Sequence, residues 1–336
     1  MGISRQPLVS VVTPVHNGAP YLRECIESVL HQTYRHWEYI IADNASDDDT
    51  LRIAEEYARI DPRIEVYRSD VFLPIIANHN RALELISQQS FLCKIVSADD
   101  RIMPECLRRM VDLFERNPSV GIAGSYQMVG GDGRWRLRNE GLPGFKSVFS
   151  GREIGRAHLL GQVNVLGNPT SSCYRSDLVR EGHSFFPNDT SEADVSACLA
   201  QLRTCDFGFV HQVLSFERCH DARQTNTALA TNAYISAAIS DCMVYGTSFL
   251  TRDEQDARVS ELLSEYYRYL SFGALKFRYR SFWRHHKQRL TDIGHSLDRI
   301  RLTKEVAFTI ADLALNPKAT LRLLHERART RRFVKA

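Results

Sequence analysis

The sequence lacks a long apolar segment. None of the hydrophobic runs in its 336 residues approaches the roughly 18 residues that span a bilayer. The first residues, Met1 to Pro7, are polar and contain no signal-peptide core. These two absences lead us to expect a protein that is made and kept in the cytosol. With 43% hydrophobic and 25% charged residues, the chain has the composition of an ordinary globular protein.

Closely spaced cysteine pairs are also absent. The chain has 8 cysteines, but no two of them form a Cys-x-x-Cys pair, so neither a zinc ribbon nor a redox dithiol is indicated. Cys25 and Cys93 fall within apolar patterns. We therefore expect several of the cysteines to be reduced residues of the core.

A glycine-rich phosphate loop is the third absence. The loop after the first apolar run, Thr13 to Gly18, has no Gly-x-Gly-x-x-Gly pattern, and the chain has no Walker A sequence. A dinucleotide-binding fold therefore lacks its usual phosphate loop here.

Charge is distributed unevenly along the chain. The net charge is only +3, but residues 251–336 hold 19 Lys and Arg against 10 Asp and Glu. The preceding part is therefore mildly acidic. A basic end on an acidic body favours contact between that end and an anionic surface.

Strand and helix patterns alternate through the first 130 residues. Leu8 to Val15 is a β-branched run that contains Pro14, and Pro20 then suits the first turn of a helix. The alternation predicts an α/β fold with a mostly parallel sheet covered by helices on both faces. The predicted strands are 8–15, 37–42, 64–67 and 91–96, and the predicted helices begin near residues 20, 51, 77 and 104.

The pattern is less regular after this point. The segment Gly130 to Gly167 has no clear period, a helix is predicted from Asp194, and strands around a turn are predicted between Phe207 and Phe216. Long helical patterns follow beyond about Arg223. We place a domain boundary near residue 225.

An apolar run ends in two adjacent carboxylates, Asp99 and Asp100. Two acids at the end of a buried strand are costly to desolvate unless a cation or hydrogen bonds compensate them. Ligands of open α/β sheets bind at this end of the strands. A helix pattern opens at Pro104, so the pair could instead cap that helix. The residues alone leave a metal site and a helix cap as alternatives.

Five segments between about residues 8 and 225 resemble the family 2 glycosyltransferases, in the order in which that family carries them. Together they make the resemblance specific, whereas each alone would be weak. The segments are Val11 to Gly18, Ser28 to Tyr34, Trp37 to Asp48, Asn78 to Leu83, and Ser97 to Asp100 followed by Pro104.

The resemblance implies the GT-A fold, a mostly parallel sheet flanked by helices, in an inverting enzyme that uses nucleotide-diphosphate sugars. It implies a glycosyltransferase domain over residues 1–225, with a nucleotide-sugar-binding half in 1–130 and an acceptor half in 131–225. A helical, basic C-terminal region would occupy residues 226–336.

On the donor side, the resemblance makes Asp99 the ligand of a divalent metal. Mg²⁺ or Mn²⁺ prefers hard oxygen ligands and would neutralise the diphosphate so that it can leave. The family's first acid of this motif is Ser97 here, which leaves Asp99 as the main anchor and Asp100 as its supporting partner or a cap.

The nucleotide pocket is implied at the ends of the first strands. Asp43 matches the acid that accepts hydrogen bonds from the nucleotide base, although an Asp before Asn-Ala-Ser is also a common turn residue. Thr13, Pro14 and Val15 would shape the pocket through backbone contacts, together with Ala98 of the acidic motif.

On the acceptor side, Asp194 matches the family's general base, which deprotonates the attacking hydroxyl. The family's neighbouring acids are Ala193 and Ser196 here, so Glu192 remains a candidate if the register slips. Capping of the helix that starts at Asp194 is the structural alternative.

The segment Phe216 to Arg223 resembles the family's Tyr-Arg-x-His ending. His220 would contact the metal or the diphosphate, and Arg218 or Arg223 would balance phosphate charge. A structural hydrogen-bonding role for His220 stays open. The segment Asn168 to Ser172 resembles one that flanks the acceptor pocket.

Aromatic residues are interleaved with cations from Tyr266 to Trp283. Basic, aromatic, amphipathic helices can lie in the headgroup region of an anionic membrane, and a plain helical appendage or homodimer contact is an equal alternative. Nucleic acid is not expected. A peripheral position on the cytoplasmic face of the membrane would suit a lipid-linked acceptor.

We therefore expect a metal-dependent glycosyltransferase that moves a sugar onto a hydroxyl of a glycan or lipid-linked glycan in polysaccharide biosynthesis. A non-catalytic nucleotide-sugar-binding or scaffold module of the same fold is the alternative, and Ser97, Ala193 and Ser196 favour it. A nucleotidyltransferase is disfavoured because the first loop is neither glycine-rich nor Arg-bearing.

Overall fold

The computed structural model describes residues 6–131, 133–181, 184–187, 192–220, 232–275 and 279–316. Contacts divide the chain into two compact units. The first unit comprises Met1–Thr227 and Tyr245–Thr251, and the second comprises Ala228–Val244 and Arg252–Ala336. The boundary predicted near residue 225, like Arg223, lies outside the described residues.

Strands and helices alternate from β1 to β4, as the sequence pattern predicts, and a short strand, β5, then precedes α4. Helix α4 begins two residues after Pro104, and β2 continues into the acidic loop as far as Asn44. The elements are β1 (Leu8–Val15), α1 (Ala19–Leu30), β2 (Trp37–Asn44), α2 (Thr50–Ile60), β3 (Ile64–Ser69), α3 (Ile75–Glu84), β4 (Ser90–Ile95), β5 (Arg101–Ile102) and α4 (Cys106–Arg116).

The following part contains longer strands. A short 3₁₀ turn, Pro169–Ser171, precedes β9. The elements are β6 (Val120–Gly131), β7 (Arg134–Arg138), β8 (Val148–Phe149), α5 (Gly151–Leu159), β9 (Ser172–Arg175), α6 (Ser176–Arg180), α7 (Ala193–Gln201) and β10 (Asp206–Arg218).

One strand differs from its prediction. The segment Phe207 to Phe216, predicted as strands around a turn, lies within the single strand β10. Its pairing with β6 shifts register between Val210 and Val213, so a bulge lies where the sequence predicts a turn.

The described strands form one sheet in the order β3-β2-β1-β4-β9-β6-β10-β5, with β7 on β6 and β8 on β10. Strands β3, β2, β1 and β4 are parallel, and β9 is antiparallel to both of its neighbours. Because parallel strands share one carboxyl-terminal edge, the ends of β1, β2 and β4 lie side by side.

The core lies between this sheet and helices α1, α2 and α4. Helix α1 buries Leu22, Cys25, Ile26 and Val29, which follow one another at helical spacing. Helix α3 packs on β1 and β2 outside this cluster. Helices on both faces thus bury the parallel strands, and the predicted fold class is confirmed.

The second unit is helical in its described part. None of the described helices combines the length and the apolar character that a bilayer crossing requires. The helices are α8 (Ala233–Phe249), whose last residues belong to the first unit, α9 (Arg252–Leu275), α10 (Arg280–Asp292) and α11 (Arg299–Leu315).

A buried histidine joins two helices of the second unit. His286 of α10 is 1% exposed, and its Nδ1 lies 2.7 Å from the hydroxyl of Tyr266 on α9. The rings of Tyr269 and Phe282 pack against the same imidazole. Burial, aided by the neighbouring His285, lowers the pKa of His286 to about 4.

This burial makes the second unit sensitive to acid. Unfolding returns His286 to its ordinary pKa of 6.5, so the stability it contributes is present above pH 6.5 and is lost as the pH falls towards 4. We expect the free energy of unfolding, measured with urea, to fall by about 2 kcal/mol more between pH 7 and 5 in the wild type than in His286→Gln. His31→Gln, at an exposed position at the end of α1, is the control. If the free energy of unfolding of His286→Gln falls with pH as steeply as that of the wild type, His286 is not the source of the acid sensitivity.

Candidate active site

Three of the predicted pocket residues, Thr13, Val15 and Asp43, lie on neighbouring strands at the carboxyl-terminal edge of the sheet. Val15 of β1 is the register partner of Asp43 of β2, and Val12 of β1 is paired with Ile95 of β4. The buried hydroxyl of Thr13 donates to the carbonyl of Val96 (2.8 Å), which fixes the end of β1 against the end of β4.

The loop after β1 is tied to the loop after β2. Asn17 has a left-handed φ of 52° and donates its backbone N–H to the Ser46 hydroxyl (2.9 Å). A Cβ at Gly18 would lie 2.5 Å from Cγ2 of Val15 and 3.3 Å from Cβ of Ala98. Glycine therefore lets the backbone of this loop approach Val15 and Ala98 closely.

Asp43 has an unsatisfied oxygen. Its side chain is fully buried, and Oδ2 accepts a hydrogen bond from the backbone N–H of Ser46 (3.3 Å). Oδ1 is buried and has no hydrogen-bond partner among the residues that the structure describes. A buried carboxylate oxygen without a donor is costly, so this atom is suited to accept a donor group from a ligand.

Asp99 lies close to His220. Oδ2 of Asp99 is 3.0 Å from Nε2 of His220, and about a quarter of each side chain is exposed (29% and 20%). The His220 ring packs against Tyr21, with the ring centroids 4.9 Å apart. Two residues 121 positions apart thus present an oxygen and a nitrogen to the same space.

Arg218 fixes the backbone behind this pair. It donates Nε to the carbonyl of Asp99 (3.3 Å), and its guanidinium is 2.7 Å from Glu24. The positive charge of Arg218, which is predicted to balance phosphate charge, is therefore already paired with the Glu24 carboxylate.

Asp100 is a buried structural partner. It is 3% exposed, and its two oxygens accept from the Thr170 hydroxyl (2.7 Å) and from the backbone N–H of Arg218 (3.1 Å). Burial and the nearby Asp99 carboxylate raise the pKa of Asp100 to about 8. The carboxylate does not cap α4, whose N-cap residue is Glu105.

Asp194 lies in the first turn of α7. Its Oδ2 accepts from the backbone N–H of Asn168 (2.8 Å), and its Oδ1 accepts from the N–H of Val195 (2.9 Å). The N-cap residue of α7 is Glu192, so Asp194 is not the cap. The carboxylate is half-buried and faces the turn that begins at Asn168.

One turn connects the two acidic positions. We call Asn168 to Ser172 the bridging turn. Asn168 holds Asp194 through its backbone and accepts from the Thr170 N–H through Oδ1 (3.1 Å), while the Thr170 side chain holds Asp100. The bridging turn therefore sets the position of Asp194 relative to Asp100.

A buried lysine holds the bridging turn. The ammonium of Lys94 on β4 donates to the carbonyls of Thr170 (2.5 Å) and Ser172 (2.8 Å), and the residue is fully buried. Sequence reasoning missed it. The one available signal was a single Lys within the apolar run of β4.

A second buried acid holds Asn168 from the opposite side. Glu217 is 1% exposed, and its Oε2 accepts from Nδ2 of Asn168 (2.5 Å) and from the guanidinium of Arg138 (2.7 Å). Gln127 also exchanges hydrogen bonds with the Asn168 amide. Sequence reasoning missed Glu217, Gln127 and Arg138, because their pairing joins three separate segments.

The donor set suits a hard divalent cation bound together with a ligand. Among the described residues, no group of three or more His, Cys, Asp or Glu side chains could hold a metal on its own. Asp99 and His220 offer one oxygen and one nitrogen, and Mg²⁺ or Mn²⁺ commonly takes its remaining ligands from water and substrate phosphates.

Comparison with known proteins defines the class first. The S. aureus protein TarS, solved in complex with UDP-GlcNAc, superposes with a TM-score of 0.62 at 16% identity, covering 85% of this chain and 80% of that one. The mannosyltransferase PcManGT from Pyrobaculum calidifontis, in complex with GDP-Man and Mn²⁺, superposes with a TM-score of 0.53 at 13% identity, covering 91% and 88%. The fold is that of the GT-A glycosyltransferases.

The sequence then gives the family. Residues 10–181 match the glycosyl transferase family 2 profile. The putative teichuronic acid biosynthesis glycosyltransferase TuaG of Bacillus subtilis is 33% identical over 235 residues, which cover 69% of this chain and 85% of TuaG. The chain belongs to glycosyl transferase family 2 and is a glycosyltransferase, which confirms the resemblance seen in its motifs.

The bridging turn can be tested at Thr170. Thr170→Val keeps the shape of the side chain but leaves an oxygen of buried Asp100 without its donor. We expect the free energy of unfolding to fall by about 1–3 kcal/mol, measured by urea titration. Thr33→Val is the control, because the Thr33 hydroxyl makes one exposed bond to the carbonyl of Pro104. If both variants lose the same free energy of unfolding, the hydrogen bond from Thr170 to Asp100 stabilises the protein no more than the exposed bond of Thr33.

Proposed function

We propose that this glycosyltransferase moves a sugar, with inversion, from a nucleotide-diphosphate donor to a hydroxyl of a glycan or lipid-linked glycan in polysaccharide biosynthesis. The observation that carries the proposal is the bridging turn, which contacts both Asp194 and Asp100 beside the Asp99–His220 pair. Inverting transfer needs a base for the acceptor hydroxyl and a group that stabilises the leaving diphosphate. Asp194 would be the base and the Asp99–His220 pair would stabilise the diphosphate, and the bridging turn connects their positions.

The nucleotide would occupy the edge formed by β1 and β2. The orphaned Oδ1 of Asp43 would accept a hydrogen bond from the base. Thr13, Pro14 and Val15 would line the pocket with their backbone, and the close contact of Ala98 with the Gly18 loop supports its place there.

A divalent metal would be held by Asp99 and His220. When bound, such a metal supplies Lewis-acid stabilisation of the departing diphosphate. Arg218 and Glu24 keep the backbone of Asp99 in place, and Asp100 supports it from the buried side. The Mn²⁺ and GDP-Man that PcManGT binds, and the UDP-GlcNAc that TarS binds, support this choice of ligands.

Asp194 would act as the general base. Its Oδ2 is held by the N–H of Asn168, and Asn168 is held in turn by Glu217 and Gln127. This support fixes the carboxylate so that it can accept the proton of an attacking acceptor hydroxyl. The name of TuaG supports an acceptor in polysaccharide assembly.

The second unit supports a peripheral position at a cytoplasmic membrane face. Ile300, Phe308 and Leu315 of α11 are 72%, 70% and 80% exposed, and Lys304 lies between them in the sequence. Apolar and basic side chains on one surface helix suit an anionic headgroup layer. A homodimer contact through the same helix is the competing arrangement.

A non-catalytic module of the same fold is the second candidate. Ser97 replaces a family acid, and its hydroxyl and backbone N–H are both bonded to Thr170, so it adds no charge to the site. Metal-dependent hydrolysis of a donor by the pure protein would exclude this candidate.

The two acidic roles can be separated by mutation. We expect Asp99→Ala to lower transfer by about 10²-fold or more, because the metal loses its charged ligand. Asp194→Asn should lower it by about 10²–10⁴-fold while donor binding persists, because only the base is removed. The measurement is sugar transfer from nucleotide sugars that carry the nucleotide selected by thermal-shift screening. Glu192→Gln is the matched control, and if Glu192→Gln abolishes transfer while Asp194→Asn does not, the base is Glu192.

Nucleotide recognition can be tested at Asp43. We expect thermal-shift screening of nucleoside diphosphates with Mn²⁺ to find selective stabilisation by one nucleotide. Asp43→Asn should weaken its affinity about 10-fold, since an amide replaces a buried acceptor. Asp49→Asn, an exposed acid of the same loop, is the control. If no nucleotide stabilises the protein, the proposed use of a nucleotide-sugar donor is contradicted. If Asp43→Asn binds the nucleotide as tightly as the wild type, Asp43 does not recognise the base.

A further inference from the structure

The edge strand β7 carries arginine at every second position. Arg134, Arg136 and Arg138 share one face of the strand because side chains alternate along it. We call these three residues the arginine ladder. Arg134 and Arg136 are exposed, and neither makes an ion pair or a side-chain hydrogen bond with any residue that the structure describes.

The ladder is linked to the proposed base through two intervening residues. The guanidinium of Arg138 is 2.7 Å from buried Glu217, which accepts from Asn168, and the backbone of Asn168 holds Asp194. From Arg138 the strand runs back along β6 through Arg136 to Arg134, which is opposite Gly131. A ligand whose reacting end lies at Asp194 could therefore extend along the ladder.

The opposite face of β7 fixes the direction of the arginines. Trp135 packs on Phe216, with ring centroids 5.2 Å apart, and Leu137 is on the same face. Five consecutive residues of β7 are paired with β6, from Arg134 opposite Gly131 to Arg138 opposite Gln127. This pairing and packing leave the ladder on its own face of the strand.

The chemistry of the ladder selects an anionic chain. Guanidinium groups form bidentate bonds with carboxylate and phosphate, and arginines two positions apart on a strand repeat every 6–7 Å or so. We propose that the arginine ladder binds an acceptor glycan bearing a carboxylate or phosphate at regular intervals, with its terminal hydroxyl at Asp194. The proposal rests on the proposed function, because it takes Asp194 to be the acceptor base.

The ladder can be tested by binding, without any donor present. The probes are an oligogalacturonate, its fully methyl-esterified neutral form, and a glycerol-phosphate oligomer, titrated calorimetrically into the full chain at low salt. We expect Arg134→Gln/Arg136→Gln to weaken binding of a charged oligomer about 10-fold or more. The stronger of the two charged probes tells carboxylate from phosphate recognition. The neutral methyl ester should bind weakly, and with equal affinity to the wild type and to Arg134→Gln/Arg136→Gln.

A matched control variant distinguishes a specific binding site from general electrostatic attraction. Arg116→Gln/Arg152→Gln removes the same charge from exposed arginines on α4 and α5. We expect it to change binding less than about threefold. Equal weakening by the two double variants would overturn the proposal, as would failure of the wild type to bind either charged oligomer at about 1 mM.

Two further results keep the alternatives apart. A single-stranded thymidine oligonucleotide that binds as tightly, and loses binding in Arg134→Gln/Arg136→Gln, would overturn the proposal in favour of a nucleic-acid surface. Metal-dependent donor hydrolysis by the wild type is measured in the same preparation. Its absence counts against the proposed function, whereas hydrolysis without binding of a charged oligomer counts against the ladder alone.

Discussion

The buried ammonium of Lys94 holds the turn on which the geometry of the site depends. It donates to two carbonyls of the bridging turn, and that turn bonds Asp100 with a side chain and Asp194 with a backbone N–H. A buried charge is tolerated only where hydrogen bonds compensate it, so Lys94 and the turn constrain each other. Asp100 and Asp194 therefore share one support.

The acids of the site are distinguished by their hydrogen bonds. Asp100 and Glu217 are buried and fully engaged, so they support other groups. Asp99 is partly exposed next to His220, and Asp43 keeps a buried oxygen without a partner. Groups that still have bonding capacity at the sheet edge are the ones suited to meet a ligand, since protein partners already saturate the others.

Much of the fold of the first 130 residues was accessible from sequence. The β-branched run ending at Val15 and the apolar run before Asp99 predict parallel strands, and parallel strands must share an edge. The residues after 130 were less readable. The sequence predicts strands around a turn where the structure has the single strand β10, because a bulge and a turn have similar local signals, and only pairing with β6 tells them apart.

The sequence by itself determined the family, the alternation of strands and helices, and the acidic residues at strand ends, because these are written in local patterns and ordered motifs. Only the tertiary structure showed which acids are saturated by protein hydrogen bonds and which can still bind a ligand. It also showed that Lys94, Glu217 and Arg138 belong to the candidate site. These residues act through contacts between segments far apart in the chain, such as the 79 positions between Arg138 and Glu217. No local pattern encodes such contacts, since they form only when the sheet assembles.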